Sequence, residues 1–185
     1  MNPIEELKAE HRGIESALTI LTEIADQMGT STETALVQDA EDLLDFFRTF
    51  VDTCHHGKEE QGLFPALERA GVQRQGGPVG VMLGEHEQGR THIREMGRAL
   101  QDYQAGMPQA DERFRRHADA YRQLLEQHIA KEDQVLFEMA AQRLPQDQQR
   151  RLEEQFAQIE REVVGVGRHE QYHAMLDAFT KKYGG

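Results

Sequence analysis

The chain has 185 residues, and 33 acidic against 21 basic side chains give it a net charge of −12. That balance argues against nucleic acid and against an anionic membrane surface as partners, and no apolar run approaches the ~20 residues of a membrane span. A single cysteine, Cys54, excludes an internal disulfide framework, and the N-terminal stretch lacks the basic-then-apolar order of a secretory signal, so a cytoplasmic protein is expected.

The first predicted helix carries Ile4, Leu7, His11, Ile14, Leu18, Leu21, Ala25 and Met28 at alternating steps of three and four, one face of an amphipathic helix. Asn2 reads as its N-cap, Pro3 as its first residue, Glu5 as completing a capping box and Gly29 as its end. A second helix is expected to start near Thr30–Glu33 and to carry Leu36, Ala40, Leu43, Leu44, Phe47, Val51, His55 and Glu59, with Pro65 ending or kinking it near Phe64. Beyond a glycine-rich loop at 71–78, a third helix carries Val79, Met82, His86, Gly89, Ile93, Met96, Leu100 and Tyr103. A fourth carries Phe114, His117, Tyr121, Leu125, His128, Glu132, Val135 and Met139, and Pro145 follows it. Leu152, Phe156, Ile159 and Val163 mark a fifth helix, Gly165 and Gly167 a break, and His169, Tyr172, Leu176 and Phe179 a short sixth. The predicted fold is all-α: an up-down-up-down four-helix bundle over residues 1–145, with a helical C-terminal extension over 146–185 packed on it.

Each of the four bundle stripes holds a histidine: His11, His55, His86 and His128. Two of the helices add a glutamate one turn later, Glu59 and Glu132, on the same face. At ~1.5 Å rise per residue, antiparallel neighbours share a level only if their ligands lie equally far from the connection between them. His86 precedes Gln104 by 18 residues and His128 follows Ala110 by 18, and the other pairs agree within two. Buried carboxylates need positive charge, and Arg90 is the only cationic side chain read at this level, so a metal is expected to supply it. Without a cation, at least one of the two facing glutamates is expected to take up a proton.

Four imidazoles and two carboxylates exceed the four ligands of a tetrahedral zinc. They suit two metals, each on two histidines, with both glutamates as bridges. Mixed imidazole and carboxylate ligation favours iron or manganese.

The second and fourth helices repeat one phrase. "HHGKEEQGLF" at 55–64 aligns with "HIAKEDQVLF" at 128–137, pairing His55 with His128, Lys58 with Lys131, Glu59 with Glu132 and Phe64 with Phe137. His56 and Glu60 form a rival pair on a face shared with the polar Asp52 and Thr53, which leaves His56 either an additional ligand or a surface residue. His92 falls off its stripe and reads as surface. His117 is ~16 Å along its helix from His128 and cannot join the same centre. Tyr121 either lines a pocket or packs, and Cys54 reads as core. His169 and His173, near Glu162, form either a second metal site or a solvated face.

With a lone histidine on the first helix, His-x-x-x-Glu on the second, a histidine on the third and His-x-x-x-Glu on the fourth, the chain resembles the hemerythrin-like, HHE cation-binding family. The motifs are His11, His55/Glu59, His86 and His128/Glu132, with "HHGKEEQGLFPAL" and "EHEQGR" around them, and the likeness covers residues 1–145. The resemblance implies two iron ions in a non-haem diiron centre, with manganese or zinc as substitutes, that binds dioxygen or related small oxidants. The chain departs from it at Arg90, where dioxygen-carrying members place a further histidine one turn after the ligand on the third helix. That substitution argues against simple reversible dioxygen carriage. The expected function is therefore to bind, sense or scavenge dioxygen, nitric oxide, peroxide or iron. A diiron oxidoreductase that decomposes peroxide is the enzymatic alternative, and a metal-dependent interaction module a third reading.

Overall fold

In a computed structural model that describes residues 2–30, 34–165 and 167–184, the chain is entirely helical, with no strand among the described residues. The first helix, α1, spans Pro3–Met28, with the Asn2 side chain accepting the Ile4 N–H and Pro3 at the first position, as its N-terminal sequence requires. The second, α2, runs from 34 to 69. Of its expected start near Thr30–Glu33, residues 31–33 lie outside the described residues. The remaining helices are α3, Pro78–Gln104; α4, 110–143; α5, Gln146–Val163; and α6, Arg168–Tyr183.

Helices α1 to α4 form a ring. Each packs on its chain neighbours, and α1 closes on α4. Helix α5 lies against α1 and α2, and α6 against α1. Arg168 and Tyr172 both reach Asp45 and tie α6 to α2 as well.

Two apolar clusters fill the ring, one around Leu21, Phe47, Leu100 and Phe114, the other around Leu7, Phe64, Phe137 and Phe156. Between them lies a layer of buried polar side chains.

Regular helical periodicity fails at that layer. Helix α2 widens into π-helix at Phe47–His55 and Glu59–Leu63, and α4 does so at Glu132–Leu136. The last two stretches occupy identical positions of the repeated phrase. Insertions of this kind rotate the following residues and concentrate where a helix must aim side chains it would otherwise misplace. The effect on the apolar stripe is direct: Val135, expected in the core, is 51% exposed, while Leu136 is buried.

Of the two outcomes expected at Pro65, an end to the helix is not found: α2 continues through it to Arg69. The Gln61 carbonyl, which would meet the missing Pro65 N–H in a regular α-helix, accepts Gln155 Nε2 of α5 at 2.8 Å. Nearby, a Cβ on Gly62 would stand 2.9 Å from Phe156, so glycine here lets α5 approach the backbone of α2.

Candidate metal centre

The four stripe histidines and both glutamates meet in the polar layer, all buried to 1% exposure or less. They sort into two pairs. His11 and His55 face each other with Nε2 atoms 3.1 Å apart, and His86 and His128 do so at 3.2 Å. The glutamates connect the pairs. Glu59 lies 3.7 Å from His55 Nε2 and 3.4 Å from His86 Nε2, while Glu132 lies 3.3 Å from Nε2 of both His11 and His128. Neither glutamate has a hydrogen-bond partner for its buried oxygens. Orphaned carboxylate oxygens among converging imidazole nitrogens have the donor chemistry of a cation site.

His56 belongs to this layer and not to a polar surface. It is 3% exposed, stacks on His86 at 3.8 Å, and groups with Glu59, His86 and His128 at metal-ligand spacing. The second group of that spacing is His11, His55, Glu59 and Glu132, so Glu59 is common to both. The π-helical turns of α2 explain why adjacent residues, His55 and His56, both face inward. Burial first, then the neighbouring His86, holds the His56 imidazole well below its usual range and so neutral; its Nδ1 makes no hydrogen bond and lies 3.5 Å from Asp52.

Sequence reading missed a complete ring of carboxylates around the histidines. Each Nδ1–H donates to one of them: His11 to Asp133 at 2.9 Å, His55 to Glu10 at 2.7 Å, His86 to Glu60 at 2.7 Å and His128 to Glu85 at 2.9 Å. Such bonds fix the tautomer, turn the Nε2 lone pair inward and raise its basicity. The available signal was the dipeptide Glu-His, at Glu10-His11 and Glu85-His86, together with the acids that follow the ligands, Glu60 and Asp133.

The expectation that only Arg90 supplies positive charge at this level fails too. Lys58 is fully buried and donates to Glu10 and Glu6, and its repeat counterpart Lys131 donates to Glu85. Arg90 itself bonds Asp52, Glu60 and Glu87, so it braces the carboxylate that holds His86. The carboxylates still outnumber these three cations. The repeated Leu-Phe anchors are equally specific: Phe137 stacks on His11 and Phe64 on His86. Tyr121 is buried, edge-on to Phe47, with a hydroxyl that has no hydrogen-bond partner.

Two of the rings and one of the glutamates are shifted by these contacts. His11 is lowered by burial but raised more by Asp133 and Glu132, to about 10, and His86 is raised against burial by Glu59 and Glu60 to about 9. Burial pushes Glu59 up, yet His55, His86 and His128 together hold it below its usual value. The expected protonated glutamate is therefore not found at Glu59, whose charged form the neighbouring imidazoles favour.

Of the remaining histidines, His92 is half-buried and its Nδ1 lies 3.1 Å from His117 Nδ1, away from this layer. His169 and His173 pair on α6, and the nearby acid is Glu160, while Glu162 bonds Gln158 instead. Cys54 is buried, and burial raises its thiol to about 12. No helix is long and apolar enough to cross a membrane among the described residues.

The family model of the hemerythrin HHE cation binding domain matches residues 2–140, well over half of the chain, and the chain belongs to that family. No curated protein matches it.

Proposed function

We propose that this family member is a non-haem diiron protein that binds, senses or scavenges a small oxidant such as dioxygen, nitric oxide or peroxide, within an up-down-up-down bundle formed by residues 1–145. The observation that carries the reading is the pairing of the ligands. Two groups of buried imidazoles converge separately, and two partnerless carboxylates stand between them. In this assignment His11 and His55 hold one ion, His56, His86 and His128 hold the other, and Glu59 and Glu132 are shared. Iron is the resident metal, and manganese or zinc can replace it. When bound, the metal pair supplies Lewis acidity and redox chemistry toward the small molecule.

The protein's own contribution is orientation and charge. Glu10, Glu60, Glu85 and Asp133 lock the imidazoles, and Lys58, Arg90 and Lys131 hold the first three of those carboxylates in place. The His11/His55 side has one imidazole fewer, which leaves positions there for the small ligand. Tyr121 and Arg90 are assigned to the surrounding pocket. His56 offsets the histidine that Arg90 replaces on α3.

Metal analysis of protein expressed in iron-rich medium tests this directly. About two iron atoms per chain are expected, with absorption bands that change on addition of nitric oxide or peroxide. One tetrahedral zinc, or no metal, would overturn it.

A further inference from the structure

A second set of converging imidazoles lies outside the buried centre. His169 and His173 sit one turn apart on α6 with Nε2 atoms 2.9 Å apart. Glu160, on α5, accepts the His169 Nδ1–H at 2.7 Å. That bond leaves the His169 Nε2 lone pair directed at His173. The construction repeats what is seen four times inside the bundle: a carboxylate on Nδ1 and nitrogens converging in pairs.

The spacing has a definite meaning. Metal–imidazole bonds of ~2.0–2.1 Å put two nitrogens at ~90° about 2.9 Å apart, and two at the tetrahedral angle about 3.3–3.4 Å apart. Without an ion the two rings share a hydrogen bond, and its 2.9 Å span equals that of adjacent positions on a square-planar or octahedral ion, the geometries of Cu(II) and Ni(II). Both histidines stand on the wall of a 430 Å³ cavity between the bundle and α5–α6, which has room for the solvent that completes such a shell. His173 is exposed and His169 half-buried, so an ion reaches them from solution. Lys58 does not block the site. Its charge is committed deeper, to Glu6, Glu10 and the far oxygen of Glu160. All three residues lie beyond residue 140, where the family match ends.

We propose that His169 and His173 form a second, solvent-accessible site for one divalent transition-metal ion of the Cu(II) and Ni(II) class, with Glu160 as the carboxylate that orients His169. The test titrates Cu(II) into protein pre-loaded with iron and freed of excess, and follows copper by electron paramagnetic resonance. Wild-type protein should bind one equivalent with nitrogen couplings from two imidazoles, and His173→Ala should lose that equivalent at unchanged iron content. Glu160→Gln should weaken binding by roughly tenfold or more, since outer partners of ligating histidines carry effects of that size. His117→Ala, at the other histidine pair, should leave this equivalent in place. His173 is exposed, so its variant folds, and circular dichroism checks that it does. Equal copper uptake by wild type and His173→Ala would overturn the proposal, whatever metal the buried centre holds, because the readout is the difference between the two proteins.

Discussion

Replacing Lys58 by methionine should destabilise the protein far more than the same change at Lys131, although the two residues occupy the same place in the repeat. The Lys58 side chain is 0% exposed and its Nζ lies 2.7 Å from Glu6, 2.5 Å from Glu10 and 3.4 Å from Glu160. Lys58→Met strands the Glu10 carboxylate in the core, and breaking a buried pair from one side costs ~3–5 kcal/mol. At ~2–4 °C per kcal/mol for a chain of this size, the melting temperature should fall by about 6–20 °C. The Lys131 side chain is 41% exposed and, among the described residues, pairs with Glu85 alone, so Lys131→Met should cost no more than ~1 kcal/mol. Glu10→Gln added to Lys58→Met removes the stranded charge and should recover part of the loss. The deficit should not change between pH 6 and 9. Burial lowers the Lys58 value, but Glu10 outweighs it and raises the folded value above the ordinary 10.5. A raised folded value means that the contribution is fully present below 10.5 and is lost only as pH climbs through the folded value. Urea denaturation of metal-free protein, followed by circular dichroism, measures each variant. Equal losses for Lys58→Met and Lys131→Met would refute the reasoning.

Four further outcomes are expected. Metal removal should lower the melting temperature while helical content persists, since ions bind the folded state by mass action; unchanged melting with metal loss confirmed would contradict a buried centre. In chelator competition, His55→Ala should lose metal outright, because it removes one of the two imidazoles of the His11/His55 group and leaves Glu10 with Lys58 alone among the described residues. His56→Ala should weaken one ion while retaining it, since His86, His128 and the shared glutamates remain. Gly62→Ala should cost ~1–3 kcal/mol by overpacking against Phe156 and Leu152, whereas Gly57→Ala, whose new methyl meets only ordinary contacts, should gain ~0.5–1 kcal/mol; paired thermal melts decide it. The Glu160 carboxyl is held at about 2, chiefly by its bond from His169, so it favours the folded state above 4.5 and loses that effect as pH falls from 4.5 toward 2; His169→Ala should move its NMR titration back toward 4.5.

The helices and the convergence of the six stripe residues were legible because both rest on one regular period. An apolar face and an i, i+4 ligand pair survive in a sequence as long as the helix stays close to 3.6 residues per turn. What escaped lies where that period fails. Nothing in local propensity marks the π-helical stretches at 47–55, 59–63 and 132–136, so α-helical phase left His56 undecided between surface and site and put Val135 inside, whereas His56 is buried and Val135 exposed. The repeat held the better signal. Ile129, aligned with His56, is apolar and buried, which already places that register position in the core. Pro65 misled for a related reason: its cost falls on one carbonyl, and a side chain from a distant helix satisfies it.

The same alignment shows how a two-fold arrangement becomes asymmetric. Each half has a Glu-His on one helix and a His-x-x-Lys-Glu-acid phrase on the next. The lysine braces the glutamate that holds the histidine of its own phrase, and the final acid holds a histidine of another helix. The differences between the halves cluster where α5 docks. Gly57 and Gly62 face Ile159 and Phe156, whereas Ala130 and Val135 stand in their places where no helix covers α4. Helix α5 also brings Glu160 to Lys58, which makes one lysine a buried strut and leaves the other half-exposed. The path His173, His169, Glu160, Lys58, Glu10, His55 then runs unbroken from solvent to the buried layer, with every step at 3.4 Å or less. Among the described residues, the corresponding path from His128 is Glu85 and then Lys131. The two halves of the polar layer thus acquire different surroundings because α5 lies against α2.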